Sequence, residues 1–127
     1  MFAWVRSTDG AERLGAFAAL VDFVHRHERA EKAIVHPALS DLDGPVGRVV
    51  ADRLDEENAA DRTIASMISR GPDNSRFLTD LDHLHAQVRA HAAHEETEEF
   101  PLLRAHLAAD RRRNMANQVR AAQAEPW

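Results

Sequence analysis

A chain of 127 residues, 44% hydrophobic and 29% charged, has the size and balance of one globular domain, and abundant Ala with no Tyr favours helix over sheet. A formal charge of −5 argues against a nucleic-acid partner. No signal peptide or apolar run near the roughly 18 residues of a membrane span is visible, so a cytoplasmic protein with no membrane partner is expected. The absence of Cys excludes disulfides and thiolate metal sites, leaving imidazole and carboxylate as donors for any metal.

In chain order, Met1–Arg6 are apolar and read either as the last turns of a helix or as a frayed terminus packing Trp4. Asp9, with Glu12 three residues on, has the spacing of a capping box. An apolar stripe follows at helical spacing through Phe17, Leu20, Val24, Ile34 and Ala38. Asp41 to Pro45 ends that helix and opens a second, carrying Val46, Val50, Leu54, Ile64 and Ile68 and stopping at Gly71-Pro72. Asp73, Asn74 and Ser75 are N-cap candidates for a third helix with the stripe Phe77, Leu81, Leu84, Val88 and Leu102. A shorter helix is predicted from about Asp110 to Gln123, its Arg111–Arg113 run a solvated face. Three long helices with short connections predict an all-α antiparallel bundle.

Two of these stripes are interrupted by polar residues. The first passes through His27 and Glu31, and the third through His91 and Glu95. Residues i and i+4 lie about 40° apart around a helix, so each pair projects toward the bundle interior. Burying such groups is costly unless they pair or bind a metal. The segments also repeat: a shift of 64 residues superposes Leu20 on Leu84, Val24 on Val88, His27 on His91, Glu31 on Glu95, Pro37 on Pro101 and Leu39 on Leu103. One His-x-x-x-Glu is a common surface pair; its duplication on matching apolar stripes points to a shared metal rather than to two buried His–Glu pairs. Pro37 and Pro101 are expected to bend or end their helices just past the site.

The run from His27 through Glu31 and Pro37 to Leu39 resembles the first signature of the hemerythrin-like (HHE) cation-binding family. The run from His91 through Glu95 and Pro101 to Leu103 resembles the second, and the likeness covers about residues 1–108. The resemblance implies a helical bundle with a di-iron centre, and carries over His27, Glu31, His91 and Glu95 as metal ligands. Imidazole with carboxylate independently suits iron, with zinc or manganese as alternatives. Two departures stand out. Where the family supplies a middle-helix His after a Glu, this chain reads Glu56-Glu57-Asn58. Glu57 and Asp61 then either substitute as ligands in an oxygen-richer site or form a solvated acidic edge. The family's first helix, with its early His, is reduced to residues 1–6, so the 1–127 domain reads as a bundle with a truncated first helix and a C-terminal helix or tail over 110–127.

The remaining histidines rank lower. His94, with Glu98 at i+4, faces solvent or stands behind the ligands, while His25, His36, His83, His85 and His106 read as surface or supporting residues. The function expected is that of a non-haem iron protein that binds or senses dioxygen, peroxide or nitric oxide, or handles iron. A peroxide-reducing di-iron enzyme and a metal-free helical interaction or dimerisation module are the alternatives. No nucleophile, Gly-rich loop or separate substrate pocket speaks for catalysis. The open fourth wall is closed either by the C-terminal helix folding back or by a homodimer. The thin apolar face of that helix, Met115 and Val119, favours the dimer.

Overall fold

The computed structural model describes residues 1–40 and 45–124, and every described element is helical. Helix α1 (Phe2–Ser7) leads into α2 (Gly10–Ala30), a π-helical turn (Glu31–Val35) and α3 (His36–Ser40), which together form one long helical run. Helix α4 spans Pro45–Arg70. A second run comprises α5 (Phe77–His94), a π turn (Glu95–Glu99) and α6 (Phe100–His106), and α7 (Ala109–Ala124) follows. The turn expected at Asp41–Pro45 lies outside the described residues up to 44, and Pro45 opens α4 as a first-turn Pro should. Gly71, at φ +83°, ends α4 in the left-handed conformation, its N–H bonded to the Met67 carbonyl, and Pro72 bars continuation.

The expected caps differ in detail. Asp9 is the N-cap of α2 but makes no side-chain cap bond, so the capping box is not formed. Arg76, rather than Asp73, Asn74 or Ser75, caps α5; Asn74 instead accepts from the Arg76 N–H at 2.9 Å through its side chain. In α4 the buried stripe runs Val46, Val50, Arg53, Glu57, Ala60, Ile64, Met67. This alternation of three and four residues keeps one seam facing the neighbours. Ile68, placed on the stripe from sequence, is 61% exposed, and Met67 takes its place.

Both π turns fall on the internal repeat, 64 residues apart, and each ends just before its proline. There the i→i−4 ladder gives way to i→i−5: the His36 N–H bonds the Glu31 carbonyl, and the Phe100 N–H bonds the Glu95 carbonyl. Pro37 and Pro101 have no N–H and would clash with the carbonyl four residues back. The widened turn relieves that clash. The helices therefore continue past the prolines rather than ending there.

Two hydrophobic clusters result. One joins α1, α2, α4 and α5 around Val5, Phe17, Leu20, Ile64, Met67, Phe77, Leu81 and Leu84. The other joins the first π turn, α3, α4, α6 and α7 around Val35, Leu39, Val46, Val50, Leu107 and Met115. Helix α1 closes the first end through Val5, which is fully buried, and through Phe2, whose ring stacks on His85 at 4.2 Å. Trp4 stays 48% exposed, so it is Val5 that anchors the terminus. Helix α7 folds back against α2 and the first π turn, and Met115 and Val119 cover the second cluster. The fold-back, which ranked below dimerisation on sequence, is present and covers this end. Deleting residues 109–124 should uncover Leu39, Val46 and Val50, lowering the melting temperature and raising the light-scattering mass through self-association. An unchanged melting curve and mass would show that α7 contributes nothing to closure.

Candidate metal centre

Between the two apolar clusters lies a layer of buried polar residues: Glu28, Glu31, His36, Arg53, Glu57, Glu95 and Glu99. The four residues singled out by the repeat meet there. His27, Glu31, His91 and Glu95 each present one donor atom, all within 4.8 Å of one another. His27 Nε2 is 2.5 Å from Glu31 Oε1 and 3.8 Å from Glu95 Oε1. His91 Nε2 is 2.6 Å from Glu95 Oε1 and 3.4 Å from Glu31 Oε2.

A second donor group shares Glu31. Glu31, His36 and Glu57 are all buried and converge within the same limit. His36 Nε2 stands 3.5 Å from Glu31 Oε2, 3.8 Å from Glu57 Oε1 and 3.8 Å from Glu99 Oε1. The π turn explains this placement. In an α-helix residues five apart diverge by about 140°, which puts His36 off the stripe; the extra residue in the turn brings it back over Glu31. Sequence reasoning set His36 among the surface or supporting residues, yet it is only 4% exposed. Glu99 was also missed. It lies one turn beyond Glu95 on the same stripe, a signal masked by its place in an acidic run that reads as solvated.

Glu57 points into the centre as expected and is 2% exposed, while Asn58 faces outward. Asp61, expected beside Glu57, does not join the group. It sits one turn farther along α4 and meets His25 and Glu28 instead. Glu56 has a supporting role that sequence reading did not assign. It accepts from His91 Nδ1 at 3.2 Å and from His94 Nδ1, and pairs with Arg53 at 2.6 Å. Arg53, itself buried, reaches across to Glu98 at 2.8 Å and ties α4 to the second π turn. With Nδ1 so held, His91 turns Nε2 toward the carboxylates, the orientation that a metal ligand requires. His94 accordingly stands behind His91.

Electrostatics make the layer anomalous without a cation. The carboxylates of Glu31 and Glu95 beside it raise His27 to about 10. Burial works against charge on His91, but Glu31 and Glu95 outweigh it and hold the imidazole at about 11. Burial likewise opposes ionisation of Glu31, yet three histidines hold it well below the usual carboxylate range. Burial, reinforced by Glu31, pushes Glu57 up to about 9, and burial raises Glu99 to about 7. Both ring nitrogens of His36, both oxygens of Glu57 and of Glu99, and one of Glu95 are enclosed with no hydrogen-bond partner. Orphaned buried donors of this kind are rare and destabilising. A cation amid them would satisfy them together, so these residues fit a metal.

A small cavity of about 60 Å³ adjoins the layer. Phe23, Val24, Ala60 and Val88 form its apolar walls, and His27 and His91 stand at its polar side. It has room for a diatomic molecule or a few waters, not for a large organic substrate.

A helical bundle with imidazole–carboxylate pairs projecting inward from facing helices is the architecture of a metal-binding bundle protein. The family model for the hemerythrin HHE cation-binding domain matches residues 2–103, and the chain belongs to that family. No curated protein and no solved structure matches it.

Proposed function

We propose that this protein holds a non-haem di-iron centre and uses it to bind or sense a small ligand such as dioxygen, peroxide or nitric oxide. The observation that carries the reading is the shared Glu31, whose Oε1 lies beside His27 and whose Oε2 lies beside both His91 and His36, so that one carboxylate belongs to both donor groups. One ion would be held by His27, Glu31, His91 and Glu95, and the other by Glu31, His36, Glu57 and Glu99. The mixed nitrogen and oxygen donors suit iron, and manganese or zinc would also be accommodated. Bound iron would supply an open coordination position and redox activity. The chain's own residues do the rest. Phe23, Val24 and Val88 give the approach an apolar lining, Glu56 fixes the His91 ring, and Arg53 holds Glu56 in place. The cavity's size favours a small ligand over an enzyme with an organic substrate.

The direct test is an absorption spectrum of the iron-loaded protein before and after exposure to oxygen, peroxide and nitric oxide. The proposal expects a charge-transfer band that changes with at least one of them. Iron-loaded protein with a spectrum indifferent to all three would reduce the centre to iron handling.

Loading should also be linked to protons. Near pH 7, His27, His91 and Glu57 carry protons in the metal-free protein, because their values of about 10, 11 and 9 lie above ambient pH. A metal displaces those protons, so the apparent affinity should strengthen as pH rises from 6 to 9. Calorimetric titrations in buffers of different ionisation enthalpy should show more than one proton released per ion. Heats independent of the buffer would contradict the ligand assignment.

A further inference from the structure

A second cluster lies beside the central layer, and the internal repeat does not generate it. His25 and Glu28 on α2 and Asp61 on α4 each bring one donor atom within 4.8 Å of the others. A shift of 64 places Arg89 and Ala92 opposite His25 and Glu28, so neither has a counterpart on α5. Glu28 is only 6% exposed, and the carboxyl that faces its own is that of another acid, Asp61. One Asp61 oxygen is enclosed and has no hydrogen-bond partner, and His25 Nε2 stands 3.5 Å from it, beyond ordinary hydrogen-bond reach. Lys32, in the π turn that follows α2, extends to Glu57 at 4.0 Å. Two carboxylates held this close, one of them buried, are stabilised by a cation between them.

The cluster's position is also informative. His25 and Asp61 have side chains 38% and 36% exposed, so the outer side is open to solvent. On the inner side, Glu28 lines the same small cavity as His27, Glu57 and His91. Glu28 therefore belongs to the outer cluster and also borders the cavity beside the buried centre. We propose that His25, Glu28 and Asp61 form an outer site for a divalent first-row cation such as Fe2+, Mn2+ or Zn2+, from which ions pass inward to the centre. One imidazole with two carboxylates suits that class of ion, and water completes its coordination on the open side. The outer site stands on its own observations; the inward passage rests on the central reading.

Co2+ is a suitable probe, because its visible absorption reports both the number of ions bound and the rate of loading. The full chain would be titrated and followed by stopped flow as wild type, His25→Ala and Asp61→Asn. Both positions are more than a third exposed, and melting curves would confirm that the variants fold. The expected result is one ion fewer per chain in each variant, with the centre filling about tenfold more slowly but to the same final absorbance. Equal ion counts and equal loading rates in all three proteins would overturn the proposal. A lower count with an unchanged loading rate would keep the site and overturn the passage. An ion lost in both variants from a protein whose centre takes none would sustain the outer site and sink the central reading.

Discussion

Glu31→Gln is expected to abolish tight metal loading. Glu31 is the one residue common to both donor groups of the centre, and it contacts His27, His36 and His91. An amide keeps the shape but loses the charge and one acceptor. Removing a residue that merely orients a ligand already weakens metal binding by about 10–100-fold, so losing a shared ligand should exceed that. Metal-free protein should suffer as well. His27 and His91 hold protons because Glu31 and Glu95 stand beside them, and breaking a buried ion pair destabilises by about 3–5 kcal/mol. The exposure of His27 puts the expected loss at or below the lower end of that range. Chemical denaturation and metal analysis of the purified variant measure both effects. Wild-type metal content in Glu31→Gln would remove Glu31 from the centre.

Glu57→Met should act in the opposite direction on the metal-free fold. Glu57 is 2% exposed, neither oxygen has a hydrogen-bond partner, and burial keeps its carboxyl protonated near pH 7. Leaving such a group unsatisfied costs about 1–3 kcal/mol, which a methionine of similar length would restore. The melting temperature of the metal-free variant should rise by several degrees. The price is function: the second donor group loses a carboxylate, and iron should then stabilise the variant less than the wild type. A destabilised metal-free variant would mean that Glu57 already has a partner without metal.

These two positions show what the sequence makes legible. The duplicated His-x-x-x-Glu could be read because its ligands keep ordinary α-helical spacing on an apolar stripe, and the structure brings those four side chains together. Glu57 was legible for the same reason. His36 was not, because its alignment with Glu31 depends on a π turn that α-helical periodicity turns away from the site. The paired prolines were the available hint. By α-helical rules they bend or end their helices, although a widened turn lets a helix accommodate a proline and continue. Met67 displaced Ile68 by one position because the α4 seam follows alternating steps of three and four residues, a drift that apolar identity alone does not reveal. The closing of the bundle by α7 turned on modest surfaces, Met115 and Val119, whose sufficiency depends on how little of the second cluster α3, α4 and α6 leave uncovered.

The central claim is that Glu31 joins two metal positions in the layer between the apolar clusters. Anomalous diffraction from crystals of the iron-loaded protein tests it most directly. The account predicts two iron peaks flanking the Glu31 carboxylate, one among His27, His91 and Glu95 and the other among His36, Glu57 and Glu99. Iron-loaded crystals with no anomalous peak in this layer, or with iron only at surface carboxylates, would contradict it.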